Sequence, residues 1–133
     1  PVPARVTQRV SLDADALFDF DKATLRPSGR TALDQFLAGI KSITPETITA
    51  TGHADRFGSA AYNQRLSEPR VQTVKSYLVS QNMDANRIHA EGKGETQPVT
   101  KPGDCLGAKS AKVIACLQPD RRVDVEVVGT RID

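Results

Sequence analysis

Between Thr51 and Lys75 the chain reads TGHADRFGSAAYNQRLSEPRVQTVK, an apolar, β-branched segment that breaks into a turn and then into a long amphipathic helix. Strand and helix each have one apolar face to cover, so the helix has to pack back onto the sheet that the strand joins. Two opposite charges stand out inside this stretch. Asp55 follows the strand, and Arg70 comes fifteen positions later on the helix. Gly58 can take φ angles that other residues avoid, so the chain can reverse there and bring the two side chains together.

The flanking sequence supplies the rest of a sheet. Arg5 to Leu12 places Val6, Val10 and Leu12 at even positions with polar residues mostly between them, which reads as a half-buried strand. Leu17 to Lys22 mixes large apolar groups with aspartates, suiting a tight loop at one rim, phenylalanines anchored inward and carboxylates outward. Pro27 fits the first turn of a helix that runs to about Lys41 through Leu33, Phe36, Leu37 and Ile40. Thr44-Pro45-Glu46 stops it. Ile48, Ala50 and Gly52 then alternate with three threonines as a second strand.

From about Ser59 to Gln81 the apolar positions keep a helical period, with Pro69 discordant inside it; a kink, or a break near Ser67, is expected there. Arg87 to Gly92 reads as a third strand, Thr96 to Gly103 as a surface loop, and Ala108 to Leu117 as a short helix. Arg122 to Val127 alternates cleanly, three valines facing inward, as a last strand. Strands alternating with helices give an α/β sandwich, helices packed on one side of a sheet. Pro1-Val2-Pro3 reads as a stiff linker, residues 1–4, before one domain over residues 5–133.

The 18 basic and 16 acidic residues are mixed along the chain, so no basic block suits a nucleic-acid backbone. No apolar run approaches the roughly 20 residues of a membrane-spanning helix; membrane attachment would have to come from an upstream segment. Cys105 and Cys116 have no histidine or further cysteine nearby to complete a zinc site. A local disulfide, and hence an oxidising compartment, is the simplest reading. Two buried thiols in the cytosol is the other.

Catalytic chemistry has little to stand on. His53 and Asp55 form an HxD pair, but a metal needs three or four ligands and His89 lies on a different strand. There is no nucleophile elbow and no phosphate-cradling glycine loop, so neither an enzyme nor a metal or cofactor is expected. Asp55 with Arg70 admits two readings. The pair is a structural salt bridge pinning turn to helix. Alternatively, it is a binding site for an amino-acid head group, Arg70 offering a planar fork to a carboxylate and Asp55 accepting from an ammonium.

The ordered run Thr51-Gly52-His53-Ala54-Asp55, Gly58, Tyr62-Asn63-Gln64-Arg65-Leu66-Ser67 and Arg70 resembles the signature of the OmpA-like C-terminal domain family. Leu17 to Asp21, Gly92 to Glu95 and Pro119 to Val123 resemble that family's first loop, third-strand exit and last-strand start. The resemblance implies a mixed four-stranded sheet with helices on one face, a periplasmic domain of an outer-membrane protein, and noncovalent binding of peptidoglycan through the diaminopimelate of its peptide stem. Asp55 would take the ammonium and Arg70 the carboxylate, with Asn63, Asp21 and Arg121 lining the same pocket. It also implies a disulfide-linked segment, Cys105 to Cys116, before the last strand. The alternative is a partner-binding or homodimerising module in which Asp55 and Arg70 only bridge each other. The chain departs from the family pattern at Ala54, where a hydroxyl residue is common, at Pro69 beside Arg70, and at Asp120, where asparagine is common and an aspartate would add negative charge near Arg121.

Overall fold

The computed structural model describes residues 3–19, 22–57, 59–101 and 103–132. Four strands form one mixed sheet: β1 (Pro3–Asp13), β2 (Thr44–His53), β3 (Ile88–Gly94) and β4 (Arg122–Ile132), in spatial order β1-β4-β2-β3. β4 is antiparallel to both neighbours, whereas β2 and β3 run parallel. The helices are α1 (Ala14–Leu17), α2 (Pro27–Gly39), α3 (Ala60–Ser80) and α4 (Ala111–Cys116).

Register explains why one face is a core. Ile48 pairs with Val127 and Ile88, and Ala50 with Val125, so the inward positions of three strands stack on the same side. Leu33 and Phe36 of α2 and Val71, Val74 and Leu78 of α3 close over them. Each such side chain contributes about 1.5–3 kcal/mol by leaving water. The opposite face carries charge: Arg9 pairs with Glu126, and Ser11 donates to Asp124.

The break considered near Ser67 is not there: α3 is continuous from Ala60 to Ser80, with Pro69 inside it. Contacts with the sheet hold it on both sides of the proline. Gly92 N–H donates to Glu68 at 3.0 Å, Gly94 N–H donates to Ser67 Oγ at 3.2 Å, and Val71 is fully buried. An interior proline costs about 3 kcal/mol through the lost N–H and the ring's crowding of the preceding turn, and these contacts oppose that cost. The approach is so close that a Cβ at Gly92 would stand 2.5 Å from Ser67 Oγ and 2.7 Å from Glu68 N.

Several boundaries move for local reasons. β1 starts at Pro3, taking up Pro3 and Ala4 from the stretch read as linker; Pro1 and Val2 lie outside the described residues. β2 starts at Thr44, since Pro45 pairs only with β4 at an irregular end of the strand, where β3 has not yet begun. The stretch before Leu17 is a helical turn, capped by Asp13, whose side chain accepts from Asp15 N–H. Phe18 is buried and bridges to Leu25, as expected of an inward anchor; Phe20 falls outside the described residues. α4 is shorter than expected because Ser110 caps it, accepting from Val113 N–H.

Candidate functional site

The carboxyl end of β2, the start of α3, α1 with the residues after it, and the segment around α4 surround a cavity of about 730 Å³. Asp55, Asn63, Arg70 and Arg121 all line it; Asp21 lies outside the described residues. Four of the five residues singled out in the sequence therefore share one cavity.

Asp55 and Arg70 do not pair directly, which corrects the expectation that they meet. The ion-pair partner of Asp55 among the described residues is Arg121, whose Nη1 donates to Asp55 Oδ2 at 2.8 Å. Asp55 Oδ1 accepts from Phe57 N–H at 3.0 Å, closing the turn after the strand. Arg70 Nε donates to the Lys22 carbonyl at 2.8 Å and Nη2 to the Asp19 carbonyl at 3.2 Å, while its guanidinium lies 5.0 Å from the centre of the Phe18 ring. Main-chain carbonyls and an aromatic face thus set the plane of the fork. The module in which Asp55 and Arg70 form only a structural bridge loses that bridge.

Arg121 is the organiser of the carboxylate side. It is partly buried and donates also to Asp15 Oδ2 at 3.1 Å and to the Ile114 carbonyl at 2.9 Å. Burial works against its charge, but Asp55 and Asp15 outweigh that and raise its pKa above the ordinary value. Asn63 is buried, and its amide donates to the carbonyls of Phe57 at 2.9 Å and Asp55 at 3.2 Å. It braces the turn that carries Asp55.

The HxD pair separates. His53 is buried and its Nε2 faces Asp124 Oδ2 at 3.3 Å, while Nδ1 is buried without a hydrogen-bond partner among the described residues. Burial and then the Arg122 charge push its pKa down, against the pull of Asp124. Asp120 also departs from expectation. Instead of facing Arg121, its buried carboxylate accepts from Val99 N–H, Thr100 N–H and the Thr100 hydroxyl, at 2.7, 2.8 and 2.6 Å.

One wall had no signal in the sequence reading. Cys105 and Cys116 form a disulfide, as expected, and the segment they enclose supplies Lys109 and Ile114 to the cavity. Arg56 fastens that segment to the turn by donating to the carbonyls of Cys105 at 2.5 Å and Gly107 at 3.0 Å, and its guanidinium stacks 5.0 Å from the centre of the Phe57 ring. Three aspartates (Asp15, Asp19, Asp55) and four cationic side chains (Arg26, Arg70, Lys109, Arg121) line the cavity. A lining of both signs suits a zwitterion better than a simple ion.

The model of the OmpA family matches residues 17–112, more than half of the chain. The chain belongs to the OmpA family. Outer membrane protein A of Shigella flexneri is 45% identical to it over 134 residues, covering 98% of this chain and 38% of the relative. The chain therefore spans well under two thirds of that relative's length. Among solved structures, the cell wall anchor of the T6SS from Pseudomonas aeruginosa matches with a TM-score of 0.73 at 27% identity, covering 92% of this chain and 82% of that one. The OmpA-like domain of FopA1 from Francisella tularensis matches with a TM-score of 0.68 at 27% identity, over 96% and 76%. The mixed sheet with its helices is thus the OmpA-like fold, and this OmpA-family chain is a periplasmic domain of an outer-membrane protein. Among the described residues no helix is long and apolar enough to cross a membrane.

Proposed function

We propose that the domain binds peptidoglycan noncovalently through the diaminopimelate of its peptide stem, and so anchors the outer membrane to the cell wall without catalysing a reaction. The observation that carries this reading is the placing of Asp55 and Arg70 in one mixed-charge cavity, each held by partners other than the other. A carboxylate has about four acceptor positions, and Asp55 uses two of them on Arg121 and Phe57. The remaining ones accept from an ammonium. Arg70, oriented by two main-chain carbonyls, takes the carboxylate of the same head group.

Family membership supports the reading, as does the likeness to a solved cell wall anchor. The cavity carboxylates are each engaged by an arginine, Asp15 and Asp55 by Arg121 and Asp19 by Arg26. That arrangement favours holding charge over moving protons.

Pull-down with purified sacculi tests the site. Asp55→Ala and Arg70→Ala each lose binding while circular dichroism stays that of the parent; unchanged binding in both variants rejects it. Binding weakens as salt rises, because partly exposed ion pairs are screened. Released muropeptides on incubation with sacculi would replace anchoring with hydrolysis.

A further inference from the structure

The cavity, at about 730 Å³, lies in the upper half of the range for small-ligand sites, and one amino-acid head group occupies only part of it. Whatever fills the rest meets the wall of Phe57, Ile114 and Lys109. Lys109 Nζ lies 5.9 Å from the centre of the Phe57 ring. Two other cavity cations are spent on carboxylates, Arg26 on Asp19 and Arg121 on Asp15 and Asp55. No ion pair among the described residues includes Lys109. Its segment is fixed relative to Asp55, because Arg56 ties the Cys105 and Gly107 carbonyls to the turn and Phe57 N–H is bonded to Asp55 itself.

An exposed cation beside the half-buried Phe57 ring, with no carboxylate paired to it among the described residues, is a site for an anion of the ligand. We infer that Lys109 is a specificity-determining residue that takes a second carboxylate of the stem peptide, outside the zwitterion held by Asp55 and Arg70; the inference rests on that reading of the site. Two carboxylates of such a stem qualify. One is the free α-carboxylate of the γ-linked glutamate, and the other is the carboxyl at the second centre of the diamino acid.

Calorimetric titration with three forms of the tripeptide alanyl-γ-glutamyl-diaminopimelate separates them: unmodified, amidated at the glutamate α-carboxyl, and amidated at the second centre of the diamino acid. The intact chain binds the unmodified peptide about two- to fivefold more tightly than one of the amides, the gain expected of an exposed ion pair. The amide that binds weakly names the carboxylate. Lys109→Gln abolishes that preference, whereas Lys112→Gln, outside the cavity lining, keeps it. Loss of the preference in both variants, its persistence in Lys109→Gln, or wild-type binding of all three peptides alike overturns the inference. Wild-type binding of none of the three overturns the zwitterion reading as well.

Discussion

Arg121 and Asp55, 66 positions apart in sequence, are joined by a 2.8 Å bond from Nη1 to Oδ2, with side chains only 17% and 12% exposed. Removing the guanidinium leaves Asp55 and Asp15 facing each other's charge without their shared partner. Arg121→Gln is therefore expected to lower stability by about 1–3 kcal/mol, the cost of stranding a partly buried hydrogen-bonded charge. Urea denaturation measures that loss. Sacculus binding falls in the same variant, since the ligand-facing orientation of Asp55 depends on the bond.

His53 makes stability depend on pH. Its folded pKa is depressed below the ordinary 6.5 by burial and Arg122. Above that value both states are neutral and the full stability is present. As pH falls through it, the unfolded chain takes up a proton that the folded imidazole refuses, and stability drops until the folded group also titrates. The contribution has a slope of at most about 1.4 kcal/mol per pH unit. Denaturation midpoints measured from about pH 7.5 to 5 should fall less steeply in His53→Gln than in the parent.

Asp120 holds the chain at Val99 and Thr100 through three accepted bonds. Asp120→Ala leaves two backbone N–H groups and a hydroxyl without that partner, an expected loss of about 2 kcal/mol. Asp120→Asn keeps an oxygen for the two N–H groups, and the rotatable hydroxyl of Thr100 can accept instead of donate, so its expected cost is below about 1 kcal/mol. Amide exchange at Val99 and Thr100 reads the difference directly.

Gly92→Ala puts a methyl group against Ser67 Oγ and the backbone of α3. Backbone cannot move aside as a flexible side chain does, so the helix shifts from the sheet at an expected cost of about 1–3 kcal/mol. Because α3 carries both Asn63 and Arg70, binding to sacculi should fall together with the melting temperature.

The alternation of Val123, Val125 and Val127 and the helical period through Val74 and Leu78 were legible in the sequence because burial on one face leaves a periodic trace; Tyr62, read on the same face, is exposed. So was the gathering of Asp55, Asn63, Arg70 and Arg121, through the resemblance. The partner of Asp55 was not, because Arg70 is its close neighbour in sequence and Arg121 a distant one. The wall at Lys109 and Ile114 was hidden for a different reason: Arg56 docks it through the carbonyls of Cys105 and Gly107, and a main-chain acceptor is the same whatever residue bears it. Pro69 misled because propensity describes an isolated helix, whereas Glu68 and Ser67 fasten this one to Gly92 and Gly94.

The placing of β4 between β1 and β2 has a consequence for assembly. Residues 44–53 can pair with Ile88–Gly94 beforehand, but residues 3–13 have no strand neighbour until Arg122–Ile132 arrives to hydrogen-bond both them and β2. The contacts between β1 and β4, from Pro3 with Ile132 to Asp13 with Arg122, span most of the chain, so closing that loop is costly and folding is slow relative to a helical bundle of this size. A polypeptide delivered amino end first stays open until its last strand emerges, and Arg121, immediately before that strand, brings the binding site into being in the same step.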